Sequence, residues 1–170
     1  MDDTELRNSL MSLHSASFAW TMVCCRDREL AEEVLQSVYV KVLDGQARHA
    51  GRSSFRTWLF AVIRNASRDR LRRRWWNRVS RLEFESLSQV VDSAAGEQRP
   101  LNDELALVRV AIDELPHRQR QIAHLVFYED LTIADAAEVM GVTVGTARQH
   151  YARAKEALRL SLKSLWQTDE

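Results

Sequence analysis

Only five glycines and two prolines interrupt 170 residues, and that scarcity leaves too few tight turns for a many-stranded β fold. Long helices meet no such obstacle. The expectation is therefore an all-α protein, and the apolar spacing supports it. In SFRTWLFAVIRNASRDRLRRRWW, residues 54–76, Phe55, Leu59, Val62 and Ile63 recur at three- and four-residue intervals, with Trp58, Ala66 and Leu71 extending the face. One amphipathic run covers 5–25. A second covers 27–43, with Val34, Leu35, Val38, Tyr39, Val42 and Leu43 on one face and Glu29, Glu32, Glu33, Gln36 and Ser37 on the other. Between that run and the arginine-rich helix, DGQARHAGRSS carries the Gly, Ser and Asp pattern of a loop.

Charge is sorted along the chain. Lysine plus arginine equals aspartate plus glutamate at 24 each, yet Arg52 to Arg81 holds ten arginines and one acid, Asp69. Such a surface is built to meet a polyanion, because arginines neutralise phosphates and release their counterions, while neighbouring aromatic rings offer unpaired bases a stacking face. Trp58, at helical spacing, fits a core position more readily than a ligand contact. Residues 82–104 reverse the sign with six acids and one arginine, and they contain Gly96 and Pro100. This is the composition of a flexible acidic linker between two helical domains, 1–81 and 105–170.

Several function classes are set aside by composition. No apolar stretch approaches the roughly 20 residues that span a bilayer, and MDDTELRNSL is acidic where a secretory leader is basic and then apolar. A cytoplasmic protein without membrane insertion is expected. Cys24 and Cys25 are the only cysteines; as neighbours they poorly fit disulfide geometry, and they are expected as free, buried thiols. No His/Cys cluster has metal-ligand spacing, no Gly-rich phosphate loop is present, and no nucleophile sits with a base. The chain is expected to be no enzyme and to need no cofactor or metal.

The second domain is expected to open with a helix over 102–114, followed by Pro116, a residue that suits a new helix start, and a helix from His117 to about Tyr128, with Ile122, Leu125 and Val126 inward. Thr132 and Asp135 have the spacing of a helix start, and Gly141 stands where a helix end needs a left-handed residue. With Ala137 small enough for a close crossing and Val142 able to plug the angle, 132–160 is a helix-turn-helix. Its second helix would offer Thr146, Arg148, Gln149, Ala152 and Arg153 to base edges in the major groove, with His150, Lys155 and Arg159 nearer phosphate.

Together these residues resemble the bacterial RNA polymerase sigma factors of the extracytoplasmic-function (ECF) group, a branch of the sigma-70 family, over most of the chain. AEEVLQSVYVKVL at 31–43 is similar to that family's polymerase-binding helix, which implies that Glu32, Glu33 and Gln36 contact the β′ clamp of core polymerase. SFRTWLFAVIRNASRDRLRRR is similar to the segment that binds and melts the minus-ten element. The resemblance implies that Asn65, Ala61 and Val62 line a pocket for an extruded base, beside Trp58 and His49, while Arg64, Arg68, Arg72 and Arg73 follow the backbone. LPHRQRQIAHLVFYEDLTIADAAEVMGVTVGTARQHYARAKEALR at 115–159 is similar to the reader of the minus-thirty-five element, implying DNA contacts by Thr146, Arg148, Gln149, Ala152, Arg153 and Lys155 and a second polymerase contact at the β flap. An anti-sigma factor partner is also implied.

Three positions depart from the family pattern. His49 stands where a Phe is usual, Gln149 and His150 replace a Ser and a basic residue, and Ala136 replaces a larger aliphatic residue. One rival reading remains open at this point, a stand-alone helix-turn-helix regulator whose first half serves ligand binding or dimerisation. Another is a helical protein using its arginines on RNA or a phosphate substrate.

Overall fold

The computed structural model describes residues 2–82 and 103–166, and no strand occurs among the described residues. Contacts divide the chain into two units, Met1–Ala95 and Gly96–Glu170. Most of the expected acidic linker lies outside the described residues.

In the first unit, α1 (Asp3–Ser12), α2 (His14–Cys25), α3 (Arg28–Leu43) and α4 (Phe55–Leu82) follow one another. Asp2 caps α1 reciprocally: its carboxylate accepts from the Glu5 N–H at 2.8 Å, and the Glu5 carboxylate accepts from the Asp2 N–H at 3.0 Å. The single run expected over 5–25 is in fact two helices. Leu13 leaves the helical region at φ −94°, ψ 1°, and the Ser12 hydroxyl donates to the Ser9 carbonyl at 2.9 Å, offering the backbone a local alternative to the helical ladder. Arg26, left-handed at φ 56°, closes α2.

α2 packs against both α3 and α4 and supplies the centre of the core. Trp20 is fully buried, stacks on Phe60 with ring centroids 6.1 Å apart, and donates its indole N–H to the Phe60 carbonyl at 3.0 Å. Leu30, Val34, Leu35 and Val38 of α3 and Leu59 and Ile63 of α4 close around it. Cys24 and Cys25 are buried thiols outside any disulfide, as expected. Burial pushes the Cys25 thiol above its ordinary pKa, a hydrogen bond with Ser67 opposing in part, the direction that packing in a core imposes on a thiol.

Asp27 joins two elements. One carboxylate oxygen caps α3 by accepting from the Leu30 N–H at 2.8 Å, and the other accepts from Arg74 Nη1 of α4 at 3.0 Å. Those two bonds hold the carboxyl below its usual range, the Leu30 bond being the larger cause. A group with a depressed folded pKa stabilises above its unfolded value, and the contribution is lost as pH falls through the folded one. Asp27→Asn keeps a capping oxygen but loses the charge. It should flatten the acid limb of the stability-against-pH curve by about 1 kcal/mol or less, the pair being partly exposed. Urea midpoints between pH 2 and 6 test this, and an unchanged acid limb would refute it.

In the second unit, α5 (Asp103–Asp113), α6 (His117–Ala123), α7 (Ile133–Met140) and α8 (Val144–Trp166) are joined by short turns, and α8 packs on the other three. The helix begins at His117 as expected, with Pro116 one position before it at φ −53°, ψ 144°. The helix expected to reach Tyr128 widens over its last turn into a π-helix, His124–Tyr128. There the Glu129 N–H donates to the His124 carbonyl at 3.2 Å, and the buried His124 and Glu129 side chains meet at 3.3 Å. Ile122 and Leu125 are buried as expected, but the wider turn leaves Val126 only half-buried and sets Phe127 and Tyr128 in solvent.

Candidate nucleic-acid interface

The loop before α4 ends on Ser54, whose hydroxyl accepts from the Thr57 N–H at 3.1 Å, so the helix begins on a capped turn. From there a rise of 1.5 Å and a turn of 100° per residue place Trp58, Ala61, Val62, Asn65, Asp69 and Arg72 in one sector. The sector opposite is buried through Thr57, Phe60, Arg64 and Ser67. Asn65 is exposed between the half-buried Ala61 and Val62, so its amide faces solvent over a small apolar floor.

At the N-terminal end of that sector, His49, Phe55 and Trp58 form a three-ring cluster with centroids 5.4 to 5.9 Å apart. His49 Nε2 lies 2.7 Å from the Ser53 carbonyl. A carbonyl only accepts, so Nε2 carries the proton and the ring is held in one orientation. His49, which stands where the family usually has a Phe, is thus one side of an aromatic corner. Trp58, read from its spacing as core, is a half-buried member of the same corner. Phe55 was assigned to the core face alone; its position three residues before Trp58 is the signal that could have placed it here.

The arginines divide by direction. Arg68, Arg72 and Arg73 are exposed, as a backbone-following role requires, and Arg72 lies 3.5 Å from Asp69. Arg64 is only 6% exposed, which corrects its assignment to phosphate: it belongs to the buried sector. Arg70 and Arg74 turn toward α3, pairing with Glu33 and Asp27. On α3 itself, Glu32, Glu33 and Gln36 are all exposed. Glu32 bonds Arg28 at 3.0 Å, and Glu33 is shared with Arg70.

The second unit has the expected helix-turn-helix. Thr132 caps α7 by accepting from the Asp135 N–H at 3.1 Å. Gly141 is left-handed at φ 58°, and the Val142 N–H reaches back to the Ala137 carbonyl at 3.0 Å, an ending that a residue with a Cβ adopts at a cost. Thr143 caps α8 through the Thr146 N–H at 3.1 Å, and the two threonine hydroxyls share a hydrogen bond at 2.9 Å. Ala147, Ala154 and Leu158 are buried, so Arg148, Gln149, Ala152, Arg153 and Lys155 point outward together, with Thr146 half-buried at the edge. Lys155 lies over the Tyr151 ring at 4.7 Å. Arg159 is engaged by Glu156 at 2.7 Å. At Gly145 an added Cβ would make one ordinary contact, 3.8 Å from Thr143 Oγ1, and its φ is not positive. Nothing inside the unit requires glycine there.

Two sequence families match in the order of these two surfaces. Sigma-70 region 2 matches residues 14–77, and Sigma-70 region 4 matches residues 111–160. The RNA polymerase sigma-H factor of Pseudomonas aeruginosa is 31% identical over 147 residues, covering 82% of this chain and 76% of its own. The chain belongs to the sigma-70 family of RNA polymerase sigma factors. Within that family this sigma factor has ECF relatives: the ECF RNA polymerase sigma factor EcfG of Rhodopseudomonas palustris is 27% identical over 157 residues, covering 90% of this chain and 82% of its own. The sigma factor RpoE of Bartonella quintana, solved in complex with the anti-sigma factor NepR, has the same fold. It superposes with a TM-score of 0.73 at 23% identity, covering 94% of this chain and 97% of its own. Region 2 and region 4 in one chain make this sigma factor a subunit that directs transcription initiation, and they set aside the stand-alone regulator.

Proposed function

We propose that this sigma factor holds core polymerase through the Glu32, Glu33 and Gln36 face of α3, opens the minus-ten element on α4 and reads the minus-thirty-five element with α8. One observation carries the reading. The exposed Asn65 amide sits over Ala61 and Val62, about two helical turns from an oriented aromatic corner, on a helix whose arginines flank that sector. Extruding a base costs a few kcal/mol of stacking, and a site that accepts the extruded base but not the stacked one returns that energy by differential binding. The corner of His49, Phe55 and Trp58 stands where the strand beside the extruded base can rest. Arg68, Arg72 and Arg73 hold the backbone without reading sequence.

In the second unit, Arg148, Gln149, Ala152 and Arg153 meet base edges and Lys155 meets phosphate. The unforced Gly145 at the start of α8 allows the DNA backbone to approach the helix closely. The chain itself performs no bond chemistry, works in the cytoplasm with the polymerase, binds the β flap through region 4, and is held in check by an anti-sigma factor of the kind seen bound to the Bartonella quintana relative. Among the described residues no helix is long and apolar enough to cross a membrane. Domain limits of 1–81 and 105–170, with an acidic linker between, complete the reading.

The test separates the surfaces. Glu33→Lys with Gln36→Ala should abolish co-purification with core polymerase. Asn65→Ala should keep core binding and lower run-off transcription from a promoter selected out of a random library by roughly 10-fold, the value of one lost edge contact. Wild-type chain that fails to associate with core would overturn the reading.

A further inference from the structure

The far half of α4 carries two tryptophans that the core does not use. Trp75 and Trp76 are each 57% exposed, and their rings meet edge to face at 5.0 Å. Trp76 stands 18 residues after Trp58, which is five whole helical turns. The two indoles therefore share one sector, about 27 Å apart along the axis. Asn65, Asp69 and Arg72 lie on the stripe between them, and Trp75 is a third of a turn aside, bracing the Trp76 ring.

The surroundings decide what such a ring is for. From Arg68 to Arg78 the helix carries six arginines and one acid, Asp69; Arg70 and Arg74 are paired with Glu33 and Asp27, and the excess of positive charge that remains favours an anionic occupant. The rings stand exposed among arginines that are exposed as well. Flat, exposed and cation-flanked indoles suit nucleic acid, since every base has a face to stack regardless of sequence. We infer that Trp76 is a second DNA platform at the far end of the α4 stripe, stacking a base or covering a deoxyribose of promoter DNA about 16 Å along the axis from Asn65, with Trp75 as its positioning residue. This rests on the reading of the stripe as the DNA track.

The experiment uses holoenzyme reconstituted with core polymerase. Its probe is a forked DNA from a library-selected promoter, duplex upstream of the minus-ten element and single-stranded across it. Trp76→Ala should weaken probe binding about 10-fold, the range of one lost stacking contact, with Trp76→Phe recovering most of the loss and Trp75→Ala showing a smaller one. A 2-aminopurine moved stepwise along the probe should be quenched at one position by the wild type and regain emission there with Trp76→Ala. If Trp76→Ala binds like the wild type while Asn65→Ala is weakened, the platform is refuted and the track stands. Wild-type binding of Asn65→Ala as well would refute the track itself. Loss of core association by Trp76→Ala would make the ring a protein contact and also overturn the inference.

Discussion

Trp20→Ala should cost the first unit about 3–5 kcal/mol, the range for removing a large aromatic side chain from a core. The indole is fully buried, stacks on Phe60 and donates to the Phe60 carbonyl, so the variant opens a cavity under α4 and removes a hydrogen bond together. Its functional consequence follows from position. Phe60 faces the core from the same helical turns that carry Ala61, Val62 and Asn65 outward, and a helix without its seat no longer holds that sector in place. Trp20→Phe refills much of the volume without the N–H and should recover all but about 1–2 kcal/mol. Urea unfolding followed by circular dichroism of the whole chain provides the test. A midpoint shift worth less than about 1 kcal/mol for Trp20→Ala would contradict the packing described.

Arg120→Met should be the most damaging change in the second unit, costing about 3 kcal/mol. Arg120 is 3% exposed, and its Nη1 donates to the Asp113 carbonyl at 3.0 Å and the Leu115 carbonyl at 3.1 Å. A helix ends with carbonyls that its own ladder cannot satisfy, and here one guanidinium from the next helix serves that purpose for α5. Methionine fills the space but leaves those oxygens without that donor, a loss of roughly 1–3 kcal/mol for each buried group. Arg120→Lys restores charge without the planar fork and should fall between. Thermal unfolding checks the order wild type, Lys, Met. A methionine variant as stable as the wild type would show that water replaces the guanidinium.

The parts of this structure that were legible in the sequence are those decided locally. Thr132 with Asp135, Gly141 and the outward set Arg148, Gln149, Ala152 and Arg153 follow from cap chemistry and helical spacing, with no knowledge of the rest of the chain. Cys24 and Cys25 were legible as buried thiols because their neighbours are apolar. What sequence reading missed depends on direction or on distant partners. Arg64 shares the spacing of Thr57, Phe60 and Ser67, so its burial was written in the pattern, but its charge outweighed its phase. Arg70 and Arg74 looked like their neighbours until α3 was folded against them. The break at Leu13 is accompanied by a Ser12 hydroxyl bond to the Ser9 carbonyl and the π turn by the meeting of His124 with Glu129, and neither has a Gly or Pro to announce it. His49 showed only as a departure from the family's Phe, because only the folded loop brings it to Phe55 and Trp58.

α4 runs without a break from Phe55 to Leu82, 28 residues, and a continuous helix transmits rotation as faithfully as length. One inserted residue after Asn65 would advance everything beyond it by only 1.5 Å but swing it by 100°, carrying Arg72 and Trp76 off the side that holds Asn65. Four inserted residues would bring them back within about 40° of it. The helix is thus a phased shaft as well as a surface, and its tolerance of insertions should follow the helical repeat rather than the number of residues added.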